Sequence, residues 1–168
     1  ILGAAIHMID LVMWLMDSKP LSVQAMGNNI IDSNNEIKFD SFVILLLKFE
    51  NGVIAKVTGN GGCKHPHFHG LKVFGTKATA IQNLYGAYYL DSSEPNAKSI
   101  QINEPYPEKE TRGKIIHSFV DSILDKTITP IVKSQDVFNT MSVCFAAEKA
   151  IKTKKEIVIN YLSSDNEK

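Results

Sequence analysis

Cysteine is scarce in this sequence, and the two present, Cys63 and Cys144, are distant and unpatterned. That excludes a disulfide framework and fits reduced thiols in a cytoplasmic protein. An excess of either charge is also missing, since 18 Lys and Arg face 18 Asp and Glu. No net field therefore draws the chain to nucleic acid or to an anionic membrane. The short basic run at 152–155 suits a helix C-terminus, where cations complement the dipole. No apolar run reaches the ~20 residues that cross a bilayer. The apolar opening, 1–16, is no signal peptide either, because it lacks a basic n-region and a small-residue cleavage site and carries His7 and Asp10. Internal repeats and low-complexity segments are absent. An initiator Met is absent too, and no Ser, Thr, Asp or Asn caps the opening helix, which predicts that the chain continues a longer polypeptide. The 168 residues predict one domain, or one and a small appendage, with a sizeable core.

What is there begins with 1–16, apolar almost throughout. As a helix it is hydrophobic all round, which predicts burial between other elements. His7, Asp10 and Trp14 fall at i, i+3 and i+7 and share one face, the best site candidate in the chain. His7 has two readings. A buried histidine hydrogen-bonds to a carboxylate or carbonyl and does no chemistry. At a cleft edge, a neutral imidazole exchanges a proton with a substrate hydroxyl, since histidine alone has an unperturbed pKa near neutrality. Asp10 is then either its orienting partner or a satisfied core carboxylate.

Downstream, Asp17-Ser-Lys-Pro20 ends the helix. A strand is expected over 21–26 and a polar loop over 27–35. The run 39–49 is apolar on both faces, which predicts a central strand covered on each side. Asn51-Gly52 is a strong hairpin signal, with 53–58 as the partner strand. Gly59-Asn-Gly-Gly62 tests poorly as a phosphate cradle. The fingerprint G-x-G-x-x-G needs a glycine at 64, where Lys stands, and a helix after it, where a Pro-containing, strand-like stretch follows. A flexible loop at a strand end is the better reading.

His65, His67 and His69 alternate, as metal ligands on a strand face would. On a straight strand the outer two lie ~13 Å apart against Zn–N bonds of ~2.0 Å, so one metal takes at most two of them. No metal site is expected; the row lines a cleft or is a solvated face. A second hairpin joins 71–74 to 78–84, with weaker strands at 87–90 and 99–102 and a linker over 104–112. An amphipathic helix starts at 114 and stops near Lys126, its stripe formed by Ile115, Ile116, Phe119, Val120, Ile123 and Leu124. Ser134 is the expected N-cap of a last helix, with Asp136 in its first turn. Val137, Met141, Cys144, Phe145 and Ile151 mark its buried face. A closing strand at 157–162 and a polar tail follow.

Hairpin-linked strands with helices at both ends predict an α+β fold, a largely antiparallel sheet with helices packed on one face. The uncovered face carries apolar residues between Phe42 and Leu47, a patch that predicts a homo-oligomer or docking of another domain.

In order and spacing, these motifs resemble the C-terminal domain of the glucose-fructose oxidoreductase, inositol dehydrogenase and MocA-like family. The matching pieces are Gly3-Ala-Ala-Ile-His7-Met-Ile-Asp10-Leu with Trp14-Leu15, Lys19-Pro20-Leu-Ser-Val23, and Phe49-Glu-Asn-Gly52. Further on come His67-Phe-His-Gly-Leu-Lys-Val-Phe-Gly75-Thr-Lys, Phe119-Val-Asp-Ser-Ile and Ala146-Ala-Glu-Lys-Ala150. The resemblance implies the C-terminal half of an oxidoreductase that uses NAD or NADP on a sugar, cyclitol or related hydroxy compound. The cofactor is then held mainly by an N-terminal Rossmann domain, which also supplies a lysine from a Glu-Lys-Pro motif; neither lies in these residues. It further implies that His7 helps move the substrate hydroxyl proton, that Asn60, His67 and His69 contact a small-molecule substrate, and that the open sheet forms the oligomer interface. Many relatives carry an Asp four residues before this histidine, where this chain has Gly3. The competing expectation is a non-catalytic dimerisation or ligand-binding module with His7 as a core residue.

Overall fold

The computed structural model describes residues 1–3, 5–30, 39–104 and 111–163, the side chains of 111 and 112 excepted. The elements in order are α1 (Ala5–Met16), β1 (Pro20–Asn28), β2 (Phe42–Phe49), β3 (Ile54–Asn60), β4 (Leu71–Phe74), β5 (Thr79–Asn83), β6 (Gly86–Leu90), β7 (Ile100–Ile102), α2 (Thr111–Leu124), α3 (Ser134–Thr153) and β8 (Ile157–Val158). This is the expected α+β class, with every sheet pairing antiparallel. Where one sheet was expected there are two of four strands, ordered β3-β2-β1-β8 and β4-β5-β6-β7. They fall in two compact units, Ile1–Cys63 with His117–Lys168, and Lys64–Ile116. The ends of the expected polar loop and tail (31–35 and 164–168) and most of the expected linker (105–110) lie outside the described residues.

In the first unit, α1 ends where Asp17 turns left-handed at φ 44°. The Asp17 N–H bonds to the Trp14 carbonyl and the Ser18 N–H to that of Met13, the paired closure that stops a helix ahead of Pro20. β1 and β2 pair from Pro20↔Phe49 to Asn28↔Phe42, so the first strand runs two residues past its expected end. The β2–β3 hairpin closes through the Phe49 N–H to the Val53 carbonyl at 2.9 Å, with Gly52 at φ 83°, a conformation that favours glycine. Val43, Leu45, Leu47 and Phe49 point into a core shared with Ile9, Val23, Val57, Val143, Cys144, Ala147 and Ala150.

β2 is central in its hydrogen bonding but is not covered on both faces as expected. Its alternate residue Leu46 is 43% exposed, beside Met26 at 78% on β1. A strand's side chains alternate between faces, and the buried residues of the helices lie on only one of them. The expected closing strand shrinks to two residues. After β8 the chain crosses to α3, where the Leu162 N–H bonds to Ser142 Oγ at 3.0 Å, and Tyr161 Oη donates to the Pro20 carbonyl at 2.6 Å.

The cap and face of the last helix also differ from expectation. Lys133, not Ser134, is the N-cap, because the Asp136 carboxylate accepts the Lys133 N–H at 2.9 Å. The buried face is Asn139, Thr140, Ser142, Val143, Cys144, Ala146, Ala147 and Ala150. Val137 and Phe145 are about half exposed, and Met141 and Ile151 only partly buried. Small residues win the inner face because they let a helix lie close to a sheet, where larger side chains would overpack.

The second unit holds the meander β4-β5-β6-β7. Its β5–β6 hairpin turns at Leu84-Tyr85, between the paired Asn83 and Gly86, and Asn83 Oδ1 accepts the Tyr85 N–H at 2.8 Å. The histidine segment ahead of β4 is not the expected strand but irregular, exposed backbone. Pro66 has no N–H to offer a strand ladder, and its carbonyl is bonded to His65 Nδ1 at 2.7 Å. Helix α2 spans the division between the units. Its stripe is exposed, from Val120 at 43% to Leu124 at 80%.

Candidate functional site

α1 is not buried all round. Ala5 and Ile9 sink into the core at 4% and 0% exposure, flanked by partly buried Ile6, Met8, Val12, Met13 and Met16. His7, Asp10 and Trp14 are exposed, Trp14 at 75%. The reading of His7 as a buried core histidine is therefore corrected. At 3.6 residues per turn, a helix that buries Ala5 and Ile9 must turn positions 7 and 14 outward. The three residues expected on one face do share it, and that face is open.

Asp10 has a partner on α3 that the sequence reading missed. Thr140 Oγ1, on α3, lies 3.1 Å from the Asp136 carbonyl of its own helix and donates to Asp10 Oδ1 at 2.9 Å. Asp10 is thus tied to the neighbouring helix from the edge of the exposed face. A hint was available: Thr140 is a polar residue at helical spacing among the apolar positions 137, 141 and 144. Only the packing of α1 on α3 shows what it bonds.

β3 passes the start of α1, where a Cβ built on Gly59 would stand 3.4 Å from the Ala5 Cβ. Asn60, the next residue, is exposed, and its Oδ1 accepts the Gly62 N–H at 3.1 Å. Its side chain thus shapes the turn after β3. Gly59-Asn-Gly-Gly62 leads into irregular backbone and then β4, so no helix N-terminus stands behind it to hold a pyrophosphate.

His67 and His69 lie in the second unit, exposed, with ring centroids 5.0 Å apart at 69°. Among the described residues no group of three His, Cys, Asp or Glu is placed to hold a metal ion. The site residues thus divide into two sets, His7, Asp10 and Asn60 in one unit and His67 and His69 in the other.

Perturbed groups lie elsewhere. Burial pushes the Cys144 thiol up to about 11. The Tyr161 hydroxyl is raised, first by burial and then by Glu50. Hydrogen bonds from Ser22 and Gln24 hold the Glu156 carboxyl below its usual range.

Comparison with known proteins supports the resemblance read from the sequence. Residues 1–81 match the GFO/IDH/MocA C-terminal domain family. Among solved structures, a proposed NADPH-dependent oxidoreductase from Desulfitobacterium hafniense superposes with a TM-score of 0.73 at 17% identity, over 93% of this chain and 46% of that one. An aldose-aldose oxidoreductase from Caulobacter crescentus, complexed with glycerol, gives 0.70 at 15% identity, over 92% and 46%. A levoglucosan dehydrogenase in complex with NADH gives 0.73 at 14%, over 95% and 50%. At such identities the likeness is one of fold. This chain spans about half the length of each. Among curated proteins none matches it.

Proposed function

We propose that this chain, whose residues 1–81 match the GFO/IDH/MocA C-terminal domain family, is one half of an NAD(P)-dependent oxidoreductase. Its substrate is a sugar, cyclitol or related hydroxy compound, in keeping with the aldose and levoglucosan named for two structural neighbours. The supporting observation is the exposed face of α1. His7 stands on a helix anchored in the core by Ala5 and Ile9, where a substrate hydroxyl can reach its imidazole.

Among the described residues none forms a dinucleotide cradle, and the nicotinamide that would accept a hydride from the carbinol carbon is assigned in this proposal to a second domain. The part of this chain is to position the hydroxyl and take its proton. His7 is the acceptor, a general-base role open to a histidine imidazole. Asn60, His67 and His69 are proposed substrate contacts. Residues 1–168 then act as one substrate-binding and oligomerisation domain, in a cytoplasmic protein without nucleic-acid or membrane partners. No helix among the described residues is long and apolar enough to cross a membrane.

In the complete protein, His7→Asn should cut turnover at least about 100-fold while the fold is kept, in line with the usual weight of general acid–base catalysis. The assay is NAD(P)H formation from D-glucose, levoglucosan and myo-inositol. Near-normal turnover would favour the second reading, a non-catalytic dimerisation or ligand-binding module. That reading draws on Gly3, where the family resemblance implies an Asp.

The open face of the first sheet is the proposed homo-oligomer interface. Met26, Ile54 and Val158 are each at least 70% exposed there, with Leu46 between them. Exposed apolar surface of this kind marks partner contacts. Leu46→Lys should lower the oligomer mass by light scattering and leave the circular dichroism unchanged. An unaltered mass would place the interface elsewhere.

A further inference from the structure

We propose that Thr140 is a positioning residue for His7, acting through Asp10 to set the rotation of α1. The inference rests on the catalytic reading of His7 and adds a residue to that site. Successive residues of a helix turn by about 100°. Asp10 therefore lies on the flank between the buried line through Ala5 and Ile9 and the exposed line through His7 and Trp14.

Apolar packing through Ala5 and Ile9 holds α1 in the core but leaves room for small rotations. Three side chains that pack α1 against the core are methionines, Met8, Met13 and Met16. Methionine is unbranched and adapts to irregular gaps, so it tolerates small rotations of the helix that carries it. A hydrogen bond to a carboxylate is directional and does not.

Thr140 is suited to supply that direction. It is only 5% exposed and stands on α3, which is held in the core by Val143, Cys144, Ala147 and Ala150. Its hydroxyl oxygen lies 3.1 Å from the Asp136 carbonyl one turn back and 2.9 Å from Asp10 Oδ1. The near carbonyl favours the rotamer that faces Asp10, so the donor is ordered before α1 docks. Charge then favours Asp10 as the acceptor, because bonds to an ionised carboxylate are the stronger kind. His7 lies three residues before Asp10, so any rotation of α1 permitted at Asp10 moves the imidazole as well.

The test uses the complete protein and whichever of D-glucose, levoglucosan or myo-inositol it turns over fastest. Thr140→Val keeps the side-chain shape and removes the hydroxyl. It should lower kcat about tenfold, as loss of orientation does, with KM changed less than about twofold. Thr140→Ser should restore most of kcat. Asp10→Ala breaks the same bond from the exposed side, without disturbing a buried residue, and should match the loss in Thr140→Val. The double variant should be no worse than either single one, because both remove one interaction.

A second readout needs no substrate. The His7 ring signals in a ¹³C-histidine spectrum, identified by their loss in His7→Asn, should move in Thr140→Val and return in Thr140→Ser. Unmoved signals, unchanged kcat, or a loss confined to KM would overturn the positioning role. Loss of turnover in His7→Asn with normal kcat in Thr140→Val would overturn this inference alone. Full turnover in His7→Asn would remove the catalytic reading beneath it.

Discussion

Helices α3 and α2 handle apolar residues in opposite ways. α3 buries small side chains, among them Ala147 and Ala150 at 0% exposure, and leaves Phe145 half in solvent. α2 carries large ones and leaves its whole stripe at least 43% exposed, Ile116 and Phe119 more than half. The difference shows that apolar periodicity marks a helix without showing whether its stripe is covered. Close packing on a sheet selects small residues. A stripe of Ile, Phe and Leu instead stays available to whatever lies against it.

The sharpest way to test that contrast is to enlarge a small residue on α3 and shrink a large one on α2. Ala147→Leu should cost about 1–3 kcal/mol by overpacking, read from urea unfolding. Leu124→Ala should stay within about 0.5 kcal/mol, as substitutions at exposed positions do. Equal costs would mean that the α2 stripe is covered in solution.

The two cysteines sharpen the same contrast by chemistry. Cys144 is buried on α3 with its thiol raised to about 11, whereas Cys63 is exposed. The thiolate is the reactive species, so at pH 8 a disulfide reagent should label Cys63 at least about 100-fold faster than Cys144. Unfolding should bring the two rates together. Comparable rates in the native protein would show that α3 lifts away from the sheet.

The smallest effect is expected at the sheet edge that follows α3. The folded Glu156 carboxyl is held below its ordinary 4.5 by Ser22 and Gln24. A depressed carboxylate contributes stability that is present above its unfolded pKa and lost as pH falls through the folded one. Ser22→Ala should therefore be slightly less stable at pH 7, with the gap to the parent closing below about pH 4.5. A gap that persists in acid would assign the loss to packing.

Much of the fold was legible locally. Asn51-Gly52 marked its hairpin, Pro20 fell just past the end of α1, and the strands at 71–74 and 87–90 came within a residue of their places, because turns and alternation depend on near neighbours. The histidine segment misled because Pro66, read as part of a strand, interrupts the backbone pattern instead. The face through His7, Asp10 and Trp14 was also readable, since spacing along a helix is geometry. Its exposure was not. A run as apolar as Ile9-Asp-Leu-Val-Met-Trp-Leu-Met16 does not say which of its sides meets a sheet.

By itself, then, the sequence determined the α+β class, most elements, the shared helix face and a resemblance to the GFO/IDH/MocA C-terminal domain, all carried by short-range periodicity and ordered motifs. Only the tertiary structure decided that Ala5 and Ile9 take the inside of α1, that small residues line α3, and that Asp10 meets Thr140. The last two partners are 130 positions apart, and such a pairing exists only once two helices have docked on a common sheet.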